Sequence, residues 1–364
     1  MSSKMSLSEQ NSPATQAEAM RFLKENMYLQ ALIEAIRGRF EEINALLLEK
    51  NINKHDLGHQ MRTASGAVRG MQMLGFSHRD QVLGGFASIT HDIGYNRADP
   101  PKAEDLNDVY HGGNKAHFKQ HALSGAREAR EWLGMLLKAA PTSPEIAKII
   151  TYKDADGKEQ RLDEKDIEVI VEAILNHNDY GKDDANYDPR KIGKTALMVQ
   201  LFDKLDNCRQ RVYKEHIEPS AFIEGNPEFD KKYFHRAVPY CISHYDFNID
   251  RQAGVMHINY QTDIEDFTQA VRAEFPNFEY SEAHFVEDFK KAYTKNCQIA
   301  AEAAGTVMES AGLRPTLMVT LNFASGNQVT LPFSRPDREI YEVEKNAGPG
   351  MAKCAPSKAD SKVA

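Results

Sequence analysis

Residues 86–95 read FASITHDIGY, a run of small and apolar side chains that closes on an imidazole and a carboxylate, His91 and Asp92. A helix leads into the pair, because Ser77 and Asp80 form an S-x-x-D start and the pattern then runs on to His91. A carboxylate buried at the end of such a helix costs several kcal/mol unless it is compensated, and a neutral imidazole needs hydrogen-bond partners too. A local hydrogen bond is one answer. The other is a metal ion, which requires further His and Asp side chains from other buried helices.

The flanking segments hold such side chains. In KHDLGHQMRTASG (54–66), His55, His59 and Arg62 share one helix face, Gly66 continues the stripe, and Met61, Ala64, Val68 and Met71 lie roughly opposite. In HGGNKAHFKQHALSGARE (111–128), His117 and His121 share a face. His111, His117 and His121 are three of the chain's 13 histidines, a concentration that a solvated helix does not need. In EVIVEAILNHND (168–179), His177 extends the apolar stripe of Ile167, Ile170 and Ile174 by one turn. In ALMVQLFDKLDN (196–207), Asp203 falls on the face of Val199 and Ala196. Each segment has a plain alternative: a solvated face, incidental surface histidines, a hydrogen-bonded core histidine, or a salt bridge among Asp203, Lys204, Asp206 and Arg209. Five plain alternatives in five separate helices are harder to hold than one shared site.

The chain has 364 residues, 41% hydrophobic and 27% charged, which predicts one large globular domain or two ordinary ones. A net charge of −8 argues against a nucleic-acid or anionic-membrane surface. Its four cysteines are far apart, with no CxxC pair, so neither a disulfide framework nor a Cys-rich zinc site is expected. No apolar run reaches membrane-spanning length and the N-terminus lacks an apolar signal core, so a cytoplasmic, membrane-free protein is expected.

The expected fold is mainly α, a helical core followed by a smaller α+β domain. Residues 1–16 read as a flexible N-terminus and 17–215 as the helical domain. Within it, Leu32, Ile36, Phe40, Ile43 and Leu47 mark one helix, and others fall at about 54–74, 77–91, 115–138, 164–177 and 194–213. ITYKDADGKEQRL (150–162) reads as a hairpin around D-G. Residues 216–235, with Pro219, Gly225 and Pro227, read as a linker. In the α+β domain (236–336), YDFNID with GVMHINYQTD and TLMVTLNF with QVTLPF read as two hairpins separated by helices at 263–274 and 281–311. That is a ββααββ order, expected as an antiparallel four-stranded sheet. Residues 337–364 read as a disordered tail.

Taken together, HQMRT (59–63), THDIGY (90–95), HALSGA (121–126) and LFDKLDN (201–207) resemble the HD-domain superfamily of metal-dependent phosphohydrolases, with its H…HD…H…H…D signature, over roughly residues 50–215. The resemblance implies that His59, His91, Asp92 and Asp203 bind one divalent metal, and that Asp92 bridges to a second held by His121 and His177. Imidazole and carboxylate ligands suit Mn, Fe, Zn, Ni or Co, with Mg also in the set. Such a pair would lower the pKa of a bridging water and neutralise charge on a phosphoryl group. His55 resembles the first histidine of the H-x-x-x-H arrangement in cyclic-nucleotide phosphodiesterases, which implies a proton donor to the leaving oxygen. Arg62, His117 and Lys204 are the groups expected around the substrate phosphate.

Two departures narrow the resemblance. Tyr95 replaces the lysine of HD-x-G-K, and HNDYGKDDANYDP (177–189) lacks the H-H-E and G-Y-P marks of cyclic-di-nucleotide phosphodiesterases. The expected partner is therefore a small phosphorylated molecule, a nucleotide among the candidates; a homo-oligomer is compatible with the sequence. The same six-ligand set also resembles that of HD-fold diiron oxygenases, and a ligand-sensing module without turnover is the third reading.

Overall fold

The computed structural model describes residues 13–49, 54–95, 115–177, 189–213, 217–227, 233–310, 312 and 316–333, with side chains described in these ranges except at 13–16, 49, 115–120 and 310. The N-terminal half is helical: α1 (Pro13–Asn26), α2 (Leu29–Glu49), α3 (Leu57–Leu74), α4 (His78–Thr90), α5 (Lys115–Ala139), α6 (Pro144–Ile149), α7 (Glu164–Asn176) and α8 (Lys194–Leu205). The hairpin expected at 150–162 is β1 (Thr151–Lys153) with β2 (Glu159–Arg161). Helix α1 begins at Pro13, inside the stretch expected to be flexible. Proline suits a first helical turn because its missing N–H would have no partner there. Residues 1–12 and the expected disordered tail at 337–364 lie outside the described residues.

Local chemistry fixes where the site-bearing helices start and stop. The Asp56 side chain accepts from the His59 amide at 2.9 Å to cap α3, which ends on Gly75 in the left-handed conformation (φ 77°). Ser77 caps α4 by accepting from the Asp80 amide at 3.1 Å, the role its spacing predicts. Asp163 and Asp166 form a reciprocal capping box at the head of α7. Helix α8 stops at Leu205, short of the 213 expected from its apolar pattern. At Asp206 the backbone leaves the helical region (ψ 71°), and a short 3-10 turn follows at Arg209–Arg211.

The C-terminal half comprises α9 (Phe234–Cys241), β3 (Ile242–Asp250), β4 (Val255–Thr262), α10 (Glu265–Arg272), α11 (Glu282–Ser310), β5 (Thr316–Phe323) and β6 (Gln328–Phe333). Its sheet has the order β3-β4-β5-β6. Both hairpins are antiparallel, with Tyr245 opposite Tyr260 and Val319 opposite Leu331. The central pair is parallel, with Tyr260 beside Leu321, so the sheet is mixed rather than antiparallel throughout. The crossover through α10 and α11 returns the chain to the end where β4 began, and β5 then runs in the same direction. Met256, Ile258 and Tyr260 alternate with less buried neighbours, as do Leu317, Val319 and Leu321, giving one apolar face.

One apolar cluster fills the N-terminal half and includes Leu32, Ile36, Phe40, Ile43 and Leu47 of α2. A second joins Ala67 and Met71 of α3 and Leu197, Leu201 and Phe202 of α8 to the C-terminal sheet and α11. Phe202 lies 4.6 Å from Phe247, ring to ring, and Tyr260 Oη donates to the Leu205 carbonyl at 2.8 Å. The segment expected as a linker adds buried Phe222 to this second core. Among the described residues no helix is long and apolar enough to cross a membrane.

Candidate metal centre

Five helical segments bring their polar residues to one buried point. His59 comes from the first turn of α3, His91 and Asp92 from the turn that ends α4, and His121 from α5. His177 stands at the end of α7 and Asp203 in the last turn of α8. All six are buried. Two close backbone approaches make this possible. A Cβ on Gly66 would lie 2.5 Å from Phe202 Cδ1, so glycine lets α3 and α8 touch; the room beside Gly66 is filled by that ring. The turn after α4 meets α5 through Gly94, against Gly125 and the His121 carbonyl.

Asp92 is the centre of the cluster. Its Oδ2 lies 3.1 Å from His91 Nε2 and 3.4 Å from His59 Nε2. Its Oδ1 lies 3.5 Å from the Nε2 atoms of both His121 and His177, which are 3.0 Å from each other. Asp203 Oδ1 completes the first group, 3.3 Å from His59 Nε2 and 3.5 Å from His91 Nε2. One carboxylate thus serves two sets of imidazoles.

The donors fit a cation. Three overlapping trios have ligand atoms mutually within 4.8 Å: His59, His91 and Asp203; His91, Asp92 and His177; and His55, His59 and Asp92. The Nε2 atoms of His59 and His91 are buried and make no hydrogen bond, although carboxylate oxygens stand close by. Such orphaned atoms are rare in a folded interior. The opposite nitrogens of these two rings, and of His177, are occupied: His59 Nδ1 is 2.6 Å from Asp206 Oδ2, His91 Nδ1 is 2.7 Å from the Ser88 carbonyl, and His177 Nδ1 is 2.5 Å from the Ile174 carbonyl. Because those oxygens only accept, each neutral ring carries its hydrogen on Nδ1 and turns the Nε2 lone pair inward, as a ligating histidine does.

The electrostatics agree. Burial disfavours charge on His91, but Asp92 and Asp203 override it and raise the ring to about 10. Burial likewise opposes ionisation of Asp92, yet His91 and His55 beside it keep that carboxyl well below its ordinary range. Asp203 is held low against burial by Lys204, His59 and His91. His121, where burial dominates, is pushed down to about 4. Two buried carboxylates among imidazoles attract positive charge, whether a proton or a metal ion supplies it.

The remaining expected residues sit less simply. Arg62 gives its fork to Asp206, with Nε to Oδ1 at 2.8 Å and Nη2 to Oδ2 at 3.0 Å. A guanidinium three residues along the helix from His59 matches the carboxylate that already holds that histidine. Lys204 Nζ is 3.0 Å from Asp203 Oδ2, beside the cluster. His55 is buried, with Nδ1 2.7 Å from Asp92 Oδ2 and Nε2 3.0 Å from Arg211 Nη2. The side chain of His117, and residues 96–114 and 178–188, lie outside the described residues.

Four residues of the site escaped the sequence reading in these roles. Asp206 was legible only as a salt-bridge partner, although its i+3 spacing from Asp203 marks it as a neighbour on that helix end. Gln60 adjoins His59 and donates to Asp92 Oδ2 at 3.0 Å. Tyr95 stacks on His121 at 4.1 Å. Arg211 had no motif to announce it. In comparisons with known proteins, the chain matches no family model, no curated protein and no solved structure.

Proposed function

We propose that this protein is a metal-dependent phosphohydrolase that acts on a small phosphate ester, with nucleotides the first substrates to test. The observation that carries this reading is the division of Asp92, with one oxygen toward His59 and His91 and the other toward His121 and His177. His59, His91, Asp203 and Asp92 would hold one divalent ion, and His121, His177 and Asp92 the second. A bound pair of this kind supplies a water of lowered pKa and neutralises charge developing on a phosphoryl group. The chain's own contribution is orientation: Asp206 and Arg62 fix His59, while main-chain carbonyls fix His91 and His177. Lys204 screens Asp203 and is the cation nearest the cluster's carboxylates on α8.

The test is phosphate release from a panel of nucleotides and phosphate esters, with Mn, Fe, Zn, Ni, Co or Mg supplied singly. Activity is expected only with metal and is expected to vanish in Asp92→Ala. Normal hydrolysis by chelator-treated, metal-free protein would defeat the reading.

One observation keeps an HD-fold diiron oxygenase as the second reading. The guanidinium groups nearest the cluster are engaged, Arg62 by Asp206 and Arg211 by His55 and two main-chain carbonyls. A phosphate therefore meets few uncommitted forks among the described residues. Two irons per chain with substrate-dependent oxygen uptake would favour this chemistry, and metal-dependent phosphate release without oxygen uptake would exclude it.

A further inference from the structure

His55 touches the central carboxylate but has a different environment from the other histidines. Its Nδ1 lies 2.7 Å from Asp92 Oδ2, an oxygen that can only accept, so this nitrogen carries hydrogen. The same Arg211 Nη2 lies 3.0 Å from its Nε2 and 3.4 Å from its Nδ1, so the guanidinium stands against the ring as a whole rather than on one nitrogen. Asp92 thus places the hydrogen on Nδ1, and Arg211 backs the ring from the side away from that carboxylate's bond. Tyr95 Oη, 3.4 Å from Nε2, is a weaker neighbour on the same side. Arg211 is itself pinned: Nη1 donates to the Asp206 carbonyl at 3.0 Å and Nε to the Lys54 carbonyl at 3.3 Å, while the Lys54 amide donates to the Arg211 carbonyl at 2.7 Å. Gln60 Nε2 reaches the same Asp92 oxygen at 3.0 Å.

We propose that His55 is a positioning residue for Asp92, neither a metal ligand nor a proton donor to substrate, and that Arg211 fixes the ring's position against that carboxylate. The inference rests on the reading that the cluster binds metal. It departs from the phosphodiesterase-like role that the H-x-x-x-H spacing suggests. With Nδ1–H aimed at Asp92 Oδ2 and the ring held against a guanidinium, His55 locks the carboxylate rotation. That rotation decides whether one oxygen faces each imidazole group. Outer hydrogen-bond partners of this kind typically govern metal affinity by about 10–100-fold.

The experiment is an anaerobic cobalt(II) titration of full-length protein, following the visible absorption bands and the metal bound per chain, with circular dichroism as the folding control. His55→Asn keeps a side-chain N–H near the Nδ1 position and is expected to bind cobalt within about threefold of wild type, with closely similar bands. His55→Leu removes the donor and is expected to bind about 10–100-fold more weakly, with altered bands. Arg211→Met is expected to resemble His55→Leu in the wild-type background and to add little to His55→Asn. Arg211→Gln replaces Arg211→Met if the methionine variant does not fold.

Equal damage from His55→Asn and His55→Leu would make the ring a ligand and overturn the inference. Unchanged affinity and bands in the Arg211 variant, or in His55→Leu, would overturn it as well. If wild-type protein takes up no cobalt, the metal reading itself fails, and the inference with it.

Discussion

Gly94 and Gly125 meet backbone to backbone: a Cβ built on Gly94 would lie 2.1 Å from the Gly125 nitrogen and 2.5 Å from its Cα. Neither obstacle is a side chain that can swing away. Gly94→Ala must therefore push the turn after α4 away from α5, separating His91 and Asp92 from His121. We expect a loss of about 1–3 kcal/mol or more in urea unfolding, from overpacking. Gly134→Ala, on the same helix with nothing within 4 Å, is the control; it is expected to gain about 0.5–1 kcal/mol from helix propensity. Equal stability of Gly94→Ala and wild type would show that the approach is looser than described.

Asp206→Asn tests how His59 is oriented. The substitution keeps the shape but removes the charge that both His59 Nδ1 and the Arg62 fork engage. Calorimetric titration with manganese should show affinity reduced by about 10–100-fold while the fold is retained. Unchanged affinity would make Asp206 a structural ion-pair partner only.

Metal uptake should release protons. Without a cation His91 is raised to about 10 by Asp92 and Asp203, so at neutral pH the ring is protonated and must lose that proton to ligate. Affinity should accordingly rise with pH, by about tenfold per unit for each proton displaced, up to the neighbourhood of that value. Repeating the titration in buffers of different ionisation enthalpy measures the release; zero protons at pH 7 would contradict this account of His91.

The C-terminal half should be inseparable from the helical half. Phe247 packs tilted against Phe202 of α8 and lies under the Arg69 guanidinium at 4.4 Å, so Phe247→Ala should cost about 3–5 kcal/mol. A chain ending at residue 215 would uncover Leu197, Leu201 and Phe202, which belong to the shared core. It is expected to aggregate or to lack cooperative unfolding in calorimetry. A soluble, metal-binding fragment of that length would refute the shared-core description.

The cluster was legible in the sequence because polar side chains interrupt apolar helices at His59, His91, Asp92, His121, His177 and Asp203, and burial makes each interruption conspicuous. What stands just beyond a helix end was not. Asp206 turns the chain out of α8 and Arg211 follows on a short 3-10 turn, where no periodicity signals which way a side chain points. The strands were readable from alternation, but alternation carries no direction, so the parallel β4–β5 pairing waited for the crossover to be seen. Asp206, the partner of Arg62, lies 144 residues away in sequence, a pairing that spacing along one helix does not announce.

Every residue of α8 from Thr195 to Asp203 is buried, which on a 3.6-residue repeat means burial on all sides. Random mutagenesis should find here an uninterrupted block of intolerant positions rather than the one-in-three rhythm of an ordinary surface helix. Sequence drift in distant descendants of this chain should accordingly be slowest along this helix, including at its plainly aliphatic positions.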